Sequence, residues 1–345
     1  METRIDVTPE SDAGHLVRRV LITGGSGFIG TNCIEAYRVT GASVLNLDIS
    51  PPQNPAQLST WRQVDILDRE AVTRTVVSHQ PDTVIHLAAK TDLRGRSLDA
   101  YAANYKGVAN VIEAIIAAGS VQRSIFASTR LVFDLDHVPR HDRDYRASTR
   151  YGQSKALGEE AVRNAPEALG TWTIVRPTGI WGPWFGPPFR DFFRTIGRGW
   201  YVHPGKRTVR KSLGYVGNTV HQIQRLAVAP DAAVDRRTMW LADYAPIEVR
   251  DWATTIQQTM GVRRIRTVPL PLLKAAAVGG TAFELLLPGR APLTMFRLNN
   301  LTADALYPTD ALESVVGPLP HSVEDGVEAT VTWLRRERAL ETPIA

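Results

Sequence analysis

Short apolar runs alternate with helix-spaced stretches through the first half of the chain. Arg19–Thr23 is an apolar run that ends in glycines, and 43–48 (SVLNLD), 83–87 (TVIHL), 124–128 (SIFAS) and 171–175 (TWTIV) are four more. Between them the spacing of apolar and polar positions predicts helices over 29–38, 68–78, 99–118 and 150–164. Strands that alternate with helices make βαβ units and therefore a parallel sheet. Such strands are covered on both faces, which is why the runs are unbroken. After Arg176 the texture changes. The stretch 178–188 (TGIWGPWFGPP) is too rich in glycine and proline for a regular element, so it marks where the chain leaves the sheet. A helix over 215–227 and a strand over 237–242 bring the chain back.

The first run leads into Thr23-Gly24-Gly25-Ser26-Gly27-Phe28-Ile29-Gly30. Glycines at this spacing, after a strand and opening a helix, form a dinucleotide fingerprint. They allow a tight turn and a close backbone approach to a pyrophosphate, and the helix N-terminus offers free N–H groups to it. Asp48 ends the second run, where a carboxylate accepts from ribose hydroxyls and repels a 2′-phosphate, so NAD is favoured over NADP. Asp65, with Ile66 beside it, closes the next short strand and is a candidate for the adenine end. The fold class that follows is α/β: a Rossmann-type doubly wound parallel sheet with a smaller, discontinuous α/β substrate-binding domain. The expected division is 15–177 with 215–243 for the NAD-binding domain and 178–214 with 244–340 for the other, after a flexible tail over 1–14.

Composition narrows the classes. Of 345 residues, 43% are hydrophobic and 22% charged, which excludes global disorder. A net charge of +5 is too small to argue for nucleic acid. The single cysteine, Cys33, excludes a disulfide framework and a cysteine-ligated zinc site, and fits a reducing compartment. No metal is expected. Residues 1–14 have no apolar core of the kind a secretory signal carries. The longest apolar stretch, 270–287, is interrupted by Pro271, Lys274, Gly279, Gly280 and Glu284, so it makes a poor spanning helix. It reads as the cover of an apolar pocket, with peripheral membrane contact as the alternative. The expectation is a cytoplasmic protein without a transmembrane segment.

Tyr151-Gly152-Gln153-Ser154-Lys155 puts a phenol and an ammonium four apart at a helix start, hence on one face. A free phenol, with a pKa of about 10, is a poor base at neutral pH. A neighbouring ammonium lowers that value and lets the phenol take a hydroxyl proton.

The glycine motif, Ile85-His86-Leu87-Ala88-Ala89, Ser128-Thr129 at a strand end and Tyr151–Lys155 resemble, in order and spacing, the extended short-chain dehydrogenase/reductases, and among them the NAD-dependent epimerase/dehydratase branch. The resemblance implies that Gly24, Gly27, Phe28, Ile29 and Gly30 meet the pyrophosphate. It implies that Leu87, Ala88, Ala89 and Lys90 line the nicotinamide side, with Asn104 and with Pro177 and Thr178 near by. Thr129 would bond the reacting oxygen beside Tyr151, and Lys155 would also hold the nicotinamide ribose. His86 reads as a core histidine. Relatives usually dimerise through two long helices; the stripe Val108, Val111, Ile112, Ile115 and Ile116 fits such a homodimer face, or an intramolecular core.

Absences sort the reactions. The dehydratases follow the threonine with Asp-Glu, and decarboxylating relatives keep the glutamate; this chain has Arg130-Leu131. The set that remains suffices for a nucleotide-sugar epimerase, or for net redox as a keto-sugar reductase or sterol-like alcohol dehydrogenase. Arg130 could bind an anionic group of the substrate, or pair with Asp134. Arg210 and Lys211, in a segment with Lys206 and Arg207, suit a diphosphate. Gly179 stands where many sugar epimerases keep an asparagine, and Asn218 where an aspartate is common. Trp181, Trp184 and Phe185 are candidates for stacking on a sugar or base, or for the core.

Overall fold

The computed structural model describes residues 16–134, 137, 139–286 and 294–341; the expected tail over 1–14 lies outside them. The elements run β1 Arg19–Thr23, α1 Phe28–Val39, β2 Ser43–Asp48, β3 Trp61–Gln63, α2 Arg69–His79, β4 Thr83–His86, α3 Lys106–Ala118, β5 Arg123–Ala127, α4 Arg150–Arg163 and β6 Thr171–Pro177. Then come β7 Gly179–Trp181, α5 Phe189–Gly197, β8 Val202–Pro204, β9 Arg210–Lys211, β10 Leu213–Tyr215, α6 Val216–Val228, α7 Asp231–Val234 and β11 Arg237–Leu241. The last part holds β12 Ile247–Glu248, α8 Val249–Met260, β13 Arg266–Val268, α9 Leu270–Leu286, α10 Met295–Thr302, α11 Asp310–Val316 and α12 Val323–Glu341.

Seven strands form one sheet in the order β11-β6-β5-β4-β1-β2-β3. Every pairing in it is parallel. The direction of winding reverses between β1 and β4, and that reversal opens a crevice at the C-terminal strand ends. The unbroken apolar runs now have their reason. In β1, Val20 and Ile22 enter a core on one face with Cys33, Ile34 and Tyr37 of α1, while Leu21 enters a second core on the other face. Phe126 and Ile125 of β5 divide between the faces in the same way. The first core continues without a break through Trp181, Tyr215, Trp252 and Val327, so the later part of the chain packs on the sheet through apolar contact.

Two local expectations need correction. Residues 178–188 are not wholly irregular, because Gly179–Trp181 is a strand paired in parallel with β10. The expected helix over 99–118 is two pieces: a 3-10 turn over Asp99–Asn104, then α3. The break follows Asn104, whose side chain turns back to bond the backbone N–H and C=O of Lys90 at 2.8 and 2.9 Å. Of the two readings of the apolar stripe, the intramolecular core is the one seen: Val108, Val111, Ile112 and Ile115 are buried against α2 and the sheet, with Ile116 half-buried beside them. What α4 leaves at the surface near them is Leu157.

His86 is a core residue, as expected. It is 1% exposed, and its Nδ1 meets Thr23 Oγ1 at 2.8 Å. Burial, assisted by the charge of Lys155, pulls its pKa down to about 3. The folded protein therefore refuses a proton that the unfolded chain accepts below about pH 6.5. The stability that neutral His86 supports is complete above that pH and is lost as the pH falls toward 3. Urea titrations of the wild type and His86→Leu should show the wild type losing about 1.4 kcal/mol per pH unit more than the variant below pH 6. Parallel pH profiles for the two proteins would contradict a neutral buried histidine.

Candidate active site

The β1–α1 turn holds Gly24, Gly27, Phe28, Ile29 and Gly30 at the mouth of the crevice. Gly24 has φ +71°, and a Cβ there would lie 2.5 Å from the backbone nitrogen of Ala88, so only glycine lets the turn lie against the end of β4. No side chain caps α1: its N-cap is Gly27, without a side-chain bond. Its first N–H groups and dipole therefore face the crevice without a competing acceptor, as a bound pyrophosphate needs. Asp48 ends β2 beside this turn. Its carboxylate accepts from the N–H of Ser26 at 3.1 Å and of Ser50 at 3.0 Å, which fixes it with lone pairs to spare for a ribose diol. These features fit NAD. Asp65 is exposed just past β3 and accepts from Leu67 N–H at 2.9 Å, whereas the Ile66 side chain is buried in the second core.

Leu87, Ala88, Ala89 and Lys90 continue from β4 along the crevice, the first three half-buried and Lys90 exposed. Asn104 fixes this strand exit and also donates to Ser154 Oγ at 2.9 Å, tying it to α4. Pro177 and Thr178 close the far side, with Thr178 N–H and Oγ1 both donating to Leu241 O at 3.1 Å.

Thr129 follows β5, and Tyr151 and Lys155 project from the first turns of α4. Thr149 caps that helix by accepting from Gly152 N–H at 3.0 Å. A Cβ at Gly152 would collide with the carbonyl of Leu131, so this glycine lets α4 press against the turn after Thr129. The result is that Thr129 and Tyr151 lie in a dry setting, each 8% exposed. Burial raises the Tyr151 phenol to about 12, opposed by the neighbouring Thr129 hydroxyl. Burial lowers Lys155 to about 8, opposed by the charge of Glu159. In the protein alone, desolvation therefore outweighs the expected tuning of the phenol by its neighbour.

Glu159 was not foreseen, although Tyr151, Lys155 and Glu159 recur every four residues along one helix face. It is 2% exposed and accepts from Ser128 Oγ at 2.5 Å, from Tyr145 OH at 3.0 Å and from Arg176 through Nε at 2.9 Å and Nη2 at 2.6 Å. Burial alone would raise its pKa, but the Arg176 bonds and charge hold it below the usual carboxylate range. Arg176 is the lone charge in the apolar run of β6, and it lies over the ring of Phe133 at 4.8 Å. A charge at that place in a buried strand was the signal for a buried partner.

The substrate-side candidates separate. Arg130 makes no ion pair among the described residues, so the expected alternative of Asp134 is not its partner, and its Nη1 is buried without a hydrogen bond. Lys211, half-buried on β9, donates to Ala303 O at 2.9 Å. Burial, then the charge of Arg130, lower its pKa to about 8. Arg210 is exposed, its backbone N–H donates to Asp304 at 2.8 Å, and the same carboxylate pairs with Arg207 at 3.1 Å. At Gly179 a Cβ would stand 2.7 Å from Leu213 and 2.8 Å from Phe189, so apolar side chains occupy the place of the asparagine. Asn218 is structural: its amide donates to Asp243 at 3.1 Å and to His321 O at 2.9 Å. Trp181 and Phe185 are core, at 0% and 2% exposure, and Trp184 packs on Trp333 with ring centres 5.7 Å apart.

Comparisons with known proteins bear on this geometry. The family model of the NAD dependent epimerase/dehydratase family matches residues 20–237. The chain is similar to a 3 beta-hydroxysteroid dehydrogenase/Delta 5-->4-isomerase of Mycobacterium tuberculosis, with 30% identity over 71% of this chain and 70% of that one. It is also similar to the N-acetyl-alpha-D-glucosaminyl-diphospho-ditrans,octacis-undecaprenol 4-epimerase of Escherichia coli O157:H7, with 26% identity over 91% of this chain and 94% of that one. Among solved structures, a UDP-glucose 4-epimerase of Thermotoga maritima with UDP-glucose shares the fold at TM-score 0.69 and 20% identity, covering 93% of this chain and 99% of that one. With its parallel sheet wound about the β1–β4 crevice and its uncapped glycine turn, the chain belongs to the NAD-dependent epimerase/dehydratase family.

Proposed function

We propose that the protein is an epimerase that acts on a carbinol of a nucleotide-sugar. One observation carries this reading: Tyr151, Thr129 and Lys155 meet in a dry corner of the crevice, and the two residues after Thr129 bring no carboxylate. When bound, NAD supplies a reversible acceptor for hydride. Thr129 Oγ1 donates to the reacting oxygen and orients it. Tyr151 takes the hydroxyl proton as the carbinol becomes a ketone, and returns it when the hydrogen comes back on the other face. The Lys155 ammonium, one helical turn away on the same face, favours the phenolate against the burial that raises it. Without an acid–base pair at 130 and 131, elimination of water has no proton donor and acceptor here. Arg130 and Lys211 suit the diphosphate, and the Escherichia coli relative is named for a diphosphate-linked sugar.

A second reading is net redox of an apolar alcohol. The filling of the Gly179 site by Leu213 and Phe189 favours it, as does the steroid dehydrogenase relative.

Two measurements separate these. Incubation of the NAD-loaded protein with nucleotide-sugars should yield the epimer by proton NMR without net NADH. Stoichiometric NADH from a sterol alcohol, with no sugar epimerised, would overturn the first reading in favour of the second. Tyr151→Phe removes the proton acceptor and should lower kcat by about 10²–10⁴ while leaving NAD affinity within a few-fold. An active Tyr151→Phe protein would remove the phenol from the mechanism in either reading.

A further inference from the structure

Helix α9, Leu270–Leu286, is about 25 Å long at 1.5 Å per residue. It is apolar nearly all round, and in water such a helix is expected to be buried. Here the opposite holds. Ala277 is fully buried, and Thr281 anchors the helix to α10 by accepting from Met295 N–H at 2.9 Å. Among the described side chains, Leu272 is 63%, Val278 60% and Phe283 43% exposed, with Ala275, Ala276 and Ala282 exposed beside them. Among the described residues, these exposed side chains cover no apolar pocket.

Charge indicates what would cover it. From 261 to the end of α9 the sequence has four cations, Arg263, Arg264, Arg266 and Lys274, all exposed, against one carboxylate, Glu284. A fifth cation reaches the same helix through the sheet. β13 pairs in parallel with β8, and Gly205, just after β8, donates to Val268 O at 2.8 Å and lies against Leu270. That contact sets exposed Lys206 at the first turn of α9. At the other end of the same ladder, two residues before β8, Trp200 is 70% exposed with the Arg198 guanidinium 5.2 Å from its ring. Exposed apolar side chains on a helix, with arginine and lysine gathered at and before its N-terminal end, form the pattern of helices that lie in the interface of an anionic bilayer. Among the described residues no helix is long and apolar enough to cross a membrane, so contact would be in the plane of the surface.

We propose that α9 and the cations at and before its N-terminal end dock this protein on a lipid surface that carries anionic headgroups. The proposal is independent of the reaction assigned above, because its readout requires no turnover. The test is flotation of the full-length, NAD-loaded protein with phosphatidylcholine vesicles, with and without phosphatidylglycerol. Binding is expected only with phosphatidylglycerol, weakening as salt is raised. Leu272→Glu with Phe283→Glu should reduce the bound fraction by at least about tenfold, and Arg263→Glu with Arg264→Glu should reduce it further than salt alone. An unchanged Tm and NAD affinity establish that these variants fold. No binding to the anionic vesicles would overturn the proposal, as would binding that the Leu272/Phe283 variant retains. A dimer in sedimentation that this variant dissociates, without vesicle binding, would show that a second copy covers the helix instead.

Discussion

A carboxylate placed where water cannot reach it organises the region around α4. Glu159 takes hydrogen bonds from β5 through Ser128, from β6 through Arg176 and from the intervening loop through Tyr145. Removing one partner of such a pair would strand the other, at a cost of about 3–5 kcal/mol. That penalty keeps α4 in a single register on the sheet. Lys155 and Tyr151 lie one and two turns before Glu159 on the same face, so the position of both follows from where the carboxylate is held.

The opposite end of the crevice relies on absence rather than attraction. The β1–α1 turn approaches β4 because Gly24 has no side chain, and α4 approaches the turn after Thr129 because Gly152 has none. Backbone contact at both places leaves a narrow crevice whose walls are N–H groups and small side chains. Polar groups of a cofactor then find donors already oriented, and reacting oxygens find a dry corner. Dryness also has a cost. It raises the phenol of Tyr151 and lowers the ammonium of Lys155, each toward its neutral form. A positive charge entering the crevice would oppose the shift of Tyr151 and deepen that of Lys155, and a negative charge would do the reverse.

Beyond the sheet the family pattern is rewritten by packing. Asn218 and Asp243 pair with each other and join α6 to the end of β11, so the amide at 218 is a structural tie. Leu213 and Phe189 crowd Gly179, and Trp181 and Phe185 sink into the core. Aromatic residues in a glycine- and proline-rich stretch suggest a binding platform when read in sequence. The fold uses two of these as the seam by which the later part of the chain adheres to the sheet.

The elements of the sheet were legible because strands buried on both faces must be apolar throughout, and the intervening helices must show one apolar stripe. The glycine turn and the Tyr151–Lys155 spacing were legible for a similar reason: each depends on residues adjacent in the chain or one helical turn apart. The sequence by itself thus determined the order of strands and helices, the dinucleotide turn, and the absence of carboxylates after Thr129. Tertiary structure alone decided that the α3 stripe faces inward, that the backbone of Arg210 bonds Asp304 while Lys211 donates to Ala303, and that Leu272, Val278 and Phe283 of α9 are exposed. Each of those outcomes depends on contacts between residues far apart in sequence. Local periodicity specifies which face of an element is apolar, but only the packed fold specifies what that face meets.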